Sequence, residues 1–545
     1  MHQENLNNLP QNKNQTHLND YAITTPIQPI ILKAFLAGYD KQSTEFLIKG
    51  FYQGFKIPYT GKECQIISSN HKSVRENVTI LQQKIEKEIT AGRVEGPFQN
   101  PPSDNFRVSP LGLIPKKTSG EFRVIHDLSH PTGNSVNEGI PEMHRTVSYQ
   151  SIDDAVRIVI QLGKKCLLSK VDIEHALAYK IIPINPTSFH LLGFVIGDKY
   201  FFDKTLPMGL SYSCNLFEQF SCAIHWIAET KLGILGCVHV IDDFLFISPP
   251  DYKQASENLY KFLKFADKLG LPIKDEKTVV PTTQLTFLGL ELDTDKMEIR
   301  LPVDKLQKLQ TLLKSFLKLK KVTLQELQSL IGLLNFTCMV VVPARAFLRR
   351  IVDLTKGIQK PHHKRRLTKS AKADLLAWSI FVESFNGKSV LQQHVFACSN
   401  SLHMYTDASN IGFGGFIGTQ WFVSAWPKSW LELHISVREL YPIVLALELW
   451  AKEIQNKHIE FHCDNLAVVY STNKQTEKDP HLMKLICRLV IQALHFNIFF
   501  STRHIPGLRN VIADKLSRLQ MDEFRRVAPY MDKEPTVVSH LVSNP

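Results

Sequence analysis

Apolar and polar residues change period several times along this chain, and each change marks an element. Residues 71–92, with the run ILQQKIEKEITAG, space apolar side chains three and four apart, which predicts an amphipathic helix stopped by glycine. LGLIPKK and EFRVIHDL flank the turn KTSG and read as two short strands. Residues 151–162 read as a helix, KKCLLSKVDI as a strand ending at Asp172, and 211–230 and 252–269 as two more helices. Strand-rich TFLGLELD follows. Beyond Pro302 the run LQKLQTLLKSFLKLKK puts leucines on one face and Lys305, Lys308, Lys314 and Lys318 largely on others. Thr323-Leu-Gln-Glu326 then forms a capping box that opens another helix. This basic helical pair suits a phosphate backbone or a plain solvated lysine face, and the pattern leaves both open. Residues 356–394, with KGIQKPHHKRRLTKSAK, read as a basic, solvated connector rather than a metal or import signal. A second alternating unit starts near Leu402: three strands, a helix, a strand, a helix, a strand and a helix. Residues 1–75 read as a poorly specified extension and 521–545 as a tail.

The run HVIDDFLFI, 239–247, breaks the apolar pattern with two adjacent acids. Successive strand residues face opposite sides, so a continuous strand would drive one carboxylate inward. Neighbouring like charges also raise each other's pKa unless a cation sits between them. A hairpin with a metal at its tip removes both difficulties. Asp172 closes a strand some 70 residues earlier. Three carboxylates from two sheet elements suit a pair of Mg2+ ions, hard cations that prefer oxygen, and two such ions serve in-line phosphoryl transfer. For each acid alone, a turn residue is the plainer reading.

Composition narrows the partners. Lysine and arginine number 64 against 52 acids, a net charge of +12 that suits a polyanion, nucleic acid before acidic lipid. The nine cysteines show no paired or zinc-type spacing, which fits a reducing intracellular compartment, cytoplasm or nucleus. No signal peptide is evident, and the apolar stretch at 331–348 is interrupted by Asn335, Pro343 and Arg345, so a buried helix and its exit are expected and no membrane span. The chain shows no aspartic-protease signature, zinc knuckle or integrase pattern.

SPLGLIPKKTSGEFRVIHDLSHP, LSKVDI, TLPMGLSYSCNLFEQF, VIDDFLF, LPIKDEKTVVP and TFLGLELD occur in the order of reverse-transcriptase motifs. Over about 90–300 the chain resembles the reverse transcriptases of DIRS-type (tyrosine-recombinase) retrotransposons, and more distantly gypsy-type and retroviral enzymes. The resemblance implies an α+β right-hand polymerase, with fingers and palm in 76–300 and a helical thumb in 301–355. It implies Mg2+, two ions per site with Mn2+ as a substitute, and deoxynucleoside triphosphates, RNA template and DNA primer as partners. Asp172, Asp242 and Asp243 are then the metal ligands. Lys116 and Arg123 occupy the finger hairpin that grips the triphosphate, Gly209 the LPMG motif where backbone approaches template and nucleotide, and Lys277 the lysine that assists the leaving pyrophosphate. FLGLELD around Gly289 resembles the hairpin that holds the primer end. Departures stand beside these matches. Val240 replaces an aromatic ring before the acid pair, Cys214 and Glu218 replace a proline and a glutamine, and DIEHALAYKIIPI carries two extra residues. Leu177 or Tyr179 can therefore hold the gate that screens the sugar 2′-hydroxyl; Tyr179 is preferred because a planar ring blocks an added oxygen better.

In the second unit Asp407 ends a strand in MYTDASNIGFGG and Asp464 follows a strand in FHCDN. Glu439 falls in the first turn of the helix SVRELYPIVLALELW, where Ser436-x-x-Glu439 reads as a capping box, and Asp514 starts a last helix in RNVIADKLSR. Strand ends and helix starts facing one crevice are where such a sheet gathers ligands. YTDAS, S-x-R-E-L, CDN and H-I-P-G-x-x-N-x-x-A-D-x-L-S-R resemble the ribonuclease H domain of the same elements over roughly 400–520. The resemblance implies an α/β ribonuclease H-like domain with a mixed sheet over 395–520, cleavage of RNA in an RNA–DNA hybrid, and two Mg2+ ions held by the four acids. His504 lies near a histidine that helps product leave in some relatives; an ordinary loop histidine is its alternative. The DIRS resemblance also implies a tyrosine recombinase elsewhere in the element, which this sequence does not show. Two rivals stand beside the two-activity enzyme: a nucleic-acid-binding relic impaired by the extra Leu177–Ala178, and a ribonuclease H with a structural polymerase-like half.

Overall fold

A computed structural model describes residues 21–115, 121–174, 179–384, 402–455, 457–496 and 498–538, without the side chains of 342, 343 and 384. The chain forms two compact units, Met1–Phe287 and Leu288–Pro545. Among the described residues no helix is long and apolar enough to cross a membrane.

The first unit is built on a four-stranded antiparallel sheet in the order Val279–Thr282, Leu167–Asp172, Asp243–Ser248, Cys237–Val240. Its central strand, DFLFIS, is buried on both faces from Phe244 to Ser248, so its sequence is a continuous apolar run rather than an alternation. Helices Ile152–Leu162, Ser213–Thr230 and Tyr252–Leu269 pack against the sheet. A five-stranded sheet and the hairpin Leu111–Pro115/Phe122–His126 form the rest. The helix expected over 71–92 is two helices, Lys72–Arg75 and Val78–Thr90. Asn77 leaves helical geometry between them, and its side chain donates to the Ser73 carbonyl at 3.0 Å, which turns the chain.

Residues 21–75 are not a loose extension. Helices Pro29–Phe35 and Lys41–Gln53 bury Leu32, Leu47 and Phe51 in the same core as Phe217 and Phe220. Phe51 meets Phe220 edge-on at 5.1 Å, and the Phe55 backbone exchanges hydrogen bonds with Pro183 and Asn185. Their apolar positions are few and scattered in sequence, and only long-range packing gives them a face to bury.

In the second unit a five-stranded mixed sheet runs in the order Gln420–Ala425, Gly412–Ile417, Leu402–Ala408, His458–Cys463, Phe499–His504. The first three strands are antiparallel, and the last two run parallel to Leu402–Ala408. Helix Ile435–Trp450 is apolar almost all round and buried along most of its length, and it packs on helix Pro480–His495. Two helices, Leu466–Lys474 and Pro480–His495, stand where one was expected between the fourth and fifth strands.

The connector is structured: Lys364–Arg366 pairs with Lys321–Thr323, and helix Lys369–Ser384 buries Leu375, Trp378 and Phe381 along one side. Its KRR run suggests a solvated linker, but the following ADLLAWSIFV carries a core-facing stripe. The tail likewise docks. Helix Met521–Val527 follows the one that carries Asp514, Phe524 and Met531 are buried beside Trp421, and the Trp421 indole donates to the Asp532 carbonyl at 2.8 Å. The Thr323–Glu326 capping box forms as expected, with Thr323 N–H donating to Glu326 at 2.7 Å. Lys305 leaves the solvated face: its ammonium donates to the Gly289 carbonyl at 2.9 Å and lies 4.2 Å from the Phe336 ring centre.

Candidate active sites

The opening acid pair sits on a hairpin. Ile241 and Asp242 form the turn between Cys237–Val240 and Asp243–Ser248, with Ile241 in left-handed backbone at φ 55°. An apolar β-branched residue is strained there. The Ile241 carbonyl accepts from Ser221 Oγ at 2.7 Å and its N–H donates to Glu218 at 3.3 Å, so helix Ser213–Thr230 holds the turn from behind. Asp243 lies directly opposite Asp172 in the antiparallel register, and the Asp242 carbonyl accepts from Ile173 N–H at 2.9 Å.

Two lysines answer these carboxylates. Lys170 Nζ lies 2.8 Å from Asp243 Oδ1, and Lys277 Nζ lies 2.8 Å from Asp172 Oδ2. Burial raises the Asp243 carboxyl above its ordinary range; Lys170 opposes the shift and the hydrogen bond with Asp172 adds to it. Burial works to lower the Lys277 ammonium, but Asp172 first, and then Asp243 and Asp242, outweigh it and hold it above its usual value. Asp172 Oδ1 is buried and has no hydrogen-bond partner among the described residues. An all-oxygen donor set with mutually repelling carboxylates and one unsatisfied buried oxygen fits a hard divalent cation.

Tyr179 lies at this site. Its hydroxyl is 3.5 Å from Cys214 Sγ and its ring 5.3 Å from that of Phe217. Burial, then Cys214, Tyr149 and the Asp242 charge push its phenol upward. Cys214, one of the departures from the motif, is thus the contact of the gate candidate. Arg123 is exposed on the strand Phe122–His126, opposite Ile114. Lys116 and Leu177 lie outside the described residues.

Gly209 is required to be glycine by contacts within the chain itself. At φ 118° a side chain is strained, and a Cβ would collide with the His126 carbonyl oxygen. This close approach is to the end of the hairpin Leu111–Pro115/Phe122–His126, and Asn137 Nδ2 secures the Gly209 carbonyl at 2.8 Å.

The second unit gathers all four of its expected acids. Asp407 is the penultimate residue of one strand, Asp464 follows its parallel neighbour, Asp514 lies in the first turn of helix Val511–Ser517, and Glu439 lies in the second turn of helix Ile435–Trp450 rather than the first, because that helix starts at Ile435. Burial pushes the Asp407 carboxyl up to about 6; Ser517 Oγ, donating at 2.5 Å, opposes, and Asp464 and Asp514 add. Burial, then Asp407 and Asp464, drive Glu439 well above its ordinary value. Asp464 is raised by burial and by Asp514, with His504 opposing. Glu439 Oε2 is buried without a partner among the described residues. These groups fit divalent cations as the first set does. His504 ends the strand Phe499–His504 with Nε2 3.2 Å from the Asp464 carbonyl oxygen, at the edge of the cluster.

Ser436 does not cap its helix. His434 is the N-cap and accepts from Ser436 N–H at 3.2 Å, which leaves Ser436 buried inside the first turn. The cap lies earlier because Ser436 is itself helical.

Lys170, Ser517 and Arg518 each touch an acid and are not among the site residues expected from the sequence. Arg518 Nε pairs with Asp514 at 2.7 Å. The signals were present: Lys170 lies two residues before Asp172 on one strand face, and Ser517 and Arg518 end the quoted L-S-R.

Comparison with known proteins places part of the chain. Residues 114–292 match the family model described as "Reverse transcriptase (RNA-dependent DNA polymerase)". The chain is 24% identical over 308 residues to the Gag-Pro-Pol polyprotein of Mason-Pfizer monkey virus, which covers 55% of this chain and 15% of that protein. It is 25% identical over 170 residues to Protein P of duck hepatitis B virus (strain China), covering 31% of this chain and 21% of that one. The chain therefore spans less than a quarter of either relative's length. Among solved structures, the foamy viral protease-reverse transcriptase dRH in complex with ds DNA aligns over 89% of this chain and 83% of that chain, with a TM-score of 0.50 and 16% identity. That likeness is one of fold, and it agrees with the polymerase and ribonuclease H-like folds expected. The matched segment holds Asp172, Asp242, Asp243 and Lys277, and residues 114–292 are a reverse-transcriptase domain with retroviral and hepadnaviral polymerase homologues.

Proposed function

We propose that this chain is an RNA-directed DNA polymerase whose second unit cuts the RNA strand of the hybrid it makes. The observation that carries the reading is the register of Asp243 opposite Asp172, with Asp242 at the turn beside them. Magnesium, held by Asp172, Asp242 and Asp243 in one unit and by Asp407, Glu439, Asp464 and Asp514 in the other, supplies charge neutralisation at the reacting phosphate. The chain's own groups do the rest. Lys277 is held protonated beside Asp172 and donates toward the departing pyrophosphate. Arg123, with Lys116, grips the triphosphate of the incoming deoxynucleotide. The Tyr179 ring, packed on Phe217, screens the 2′ position. In the second unit Ser517 and Arg518 orient Asp407 and Asp514, and His504 helps product leave.

The order of the sequence motifs supports a finer affiliation, with DIRS-type retrotransposons. It also supports the division into fingers and palm over 76–300, thumb over 301–355 and ribonuclease H over 395–520. RNA template, DNA primer and RNA–DNA hybrid are the partners, in an intracellular setting.

Primer extension on an RNA template with Mg2+, following DNA growth and RNA loss together, tests this. Wild type extends the primer and degrades the template. Asp243→Asn stops extension and leaves cleavage of a preformed hybrid, and Asp464→Asn does the reverse. Extension by Asp243→Asn at the wild-type rate overturns the first assignment. If the intact chain is inert and a version lacking Leu177–Ala178 is active, the impaired relic replaces this reading.

A further inference from the structure

Helix Ser213–Thr230 carries Glu218, Cys222, His225 and Glu229 at helical spacings of three and four, which brings them onto one face. His239, on the neighbouring strand Cys237–Val240, points into that face. Glu218 and His239 are more than nine-tenths buried, whereas Cys222 is exposed. Glu218 Oε1 lies 3.2 Å from His239 Nε2, Cys222 Sγ lies 3.8 Å from the same nitrogen, and the three atoms all lie within 4.8 Å of one another. Ligands on a tetrahedral zinc ion, with bonds of about 2.0–2.3 Å, stand about 3.3 Å apart for nitrogen and oxygen and about 3.6 Å apart for nitrogen and sulfur.

We propose that Glu218, Cys222 and His239 form a zinc-class metal site behind the polymerase turn, separate from both acidic clusters. A thiolate, an imidazole and one carboxylate select a borderline-soft transition metal over Mg2+. The surrounding groups complete the arrangement. His239 Nδ1 faces His225 Nδ1 at 2.8 Å, and His225 Nε2 faces Glu229 at 3.3 Å. With the proton on His239 Nδ1 donated to His225, and that of His225 on Nε2 toward Glu229, His239 Nε2 is left with its lone pair directed at Glu218 and Cys222. Such an outer hydrogen bond fixes a ligating histidine's tautomer and orientation. The Phe244 ring, nearly parallel to His239 at 5.3 Å, holds the imidazole plane.

The fourth position is open. Glu218 and Cys222 line a cavity of about 310 Å3, together with Thr146, Asn215 and Gln219, through which water or a small ligand reaches the ion. The second oxygen of Glu218 accepts from Ile241 N–H at 3.3 Å, so one carboxylate links the ion to the strained residue before Asp242. The site braces the turn that presents the polymerase carboxylates. The competing account is an imidazolium of His239 paired with Glu218, with Cys222 a bystander.

The test is titration of the full-length chain with Co2+ and Zn2+ in the presence of excess Mg2+. Expected are a thiolate-to-cobalt charge-transfer band that saturates at one ion per chain, its displacement by Zn2+, and a rise in Tm with Zn2+. The band and the Tm rise disappear in Cys222→Ser, whose side chain is exposed and whose fold is kept. In His225→Ala, which removes only the outer hydrogen bond, Zn2+ affinity falls about 10–100-fold. Glu218→Gln, which keeps an acceptor for Ile241, serves as an independent variant and loses affinity with an unchanged circular dichroism spectrum. A cobalt band of equal intensity in Cys222→Ser, or no band in wild type, overturns the proposal in favour of the ion pair.

Discussion

At the scale of single residues, each carboxylate of the first acidic set is defined by what faces it. Lys170 and Asp172 share one strand face, yet Lys170 reaches across to Asp243 while Lys277 arrives from a distant loop to meet Asp172. Gly209 illustrates a similar point, since its φ of 118° and the His126 carbonyl leave no room for a methyl group. Gly209→Ala should lower stability, by more than the ~1 kcal/mol that the same substitution adds where alanine fits, and urea unfolding of the two proteins measures it. Asp374 offers a pH-dependent case. It is fully buried, with Arg350 Nε 2.7 Å from its Oδ2, and burial pushes its carboxyl up to about 6 against the guanidinium's pull. An unfolded aspartate titrates near ~3.9. Between those values the folded chain binds more protons than the unfolded one, so this group's contribution to stability falls as pH rises from about 4 to about 6, by roughly 3 kcal/mol, and is flat above. The stability difference between wild type and Asp374→Asn, measured from pH 4 to 7, should shrink or invert over that window. A pH-independent difference would show that Asp374 is not raised.

At the scale of elements, the acid-bearing hairpin was legible because apolar runs flank the acid pair and leave a turn as its only comfortable place. Its support was not legible, since Ser221 and Glu218 lie some twenty residues away on a helix. Ser221→Ala removes the 2.7 Å bond to the Ile241 carbonyl. Losing a buried hydrogen bond worth about 1 kcal/mol should slow DNA synthesis about five-fold through kcat if the turn is loosened, with hybrid cleavage by the second unit unchanged. Steady-state extension and cleavage assays on the same preparation separate the two effects. Helix ends show both outcomes of reading caps from sequence. Thr323 and Glu326 pair as their spacing implies, but Ser436 and Glu439 do not, because His434 starts that helix earlier and burial turns Glu439 toward Asp407.

At the scale of the molecule, domain edges were the least legible feature. Residues 27–57 supply Leu32, Phe51 and Phe55 to the core of the first unit, each at most 1% exposed. Removing one such phenylalanine side chain typically costs about 3–5 kcal/mol, against a total stability of about 5–15 kcal/mol. Deleting residues 1–57 should therefore abolish cooperative thermal unfolding of the first unit and expose apolar surface, which calorimetry and dye binding would register. A deletion variant that melts with the wild-type profile would show that these helices are dispensable. The sequence by itself determined where the aspartates stand along their elements, because strand ends, tight turns and helix starts are set by local periodicity and neighbours, and it placed Glu439 one turn too early. It also determined the order of those elements, and with it the two folds. Tertiary structure alone decided which lysine answers which carboxylate, why Gly209 tolerates no side chain, and that the presumed extension, connector and tail belong to packed cores. Those facts depend on groups far apart in the chain meeting in three dimensions, where burial removes water and leaves each charge and each apolar face to find its partner.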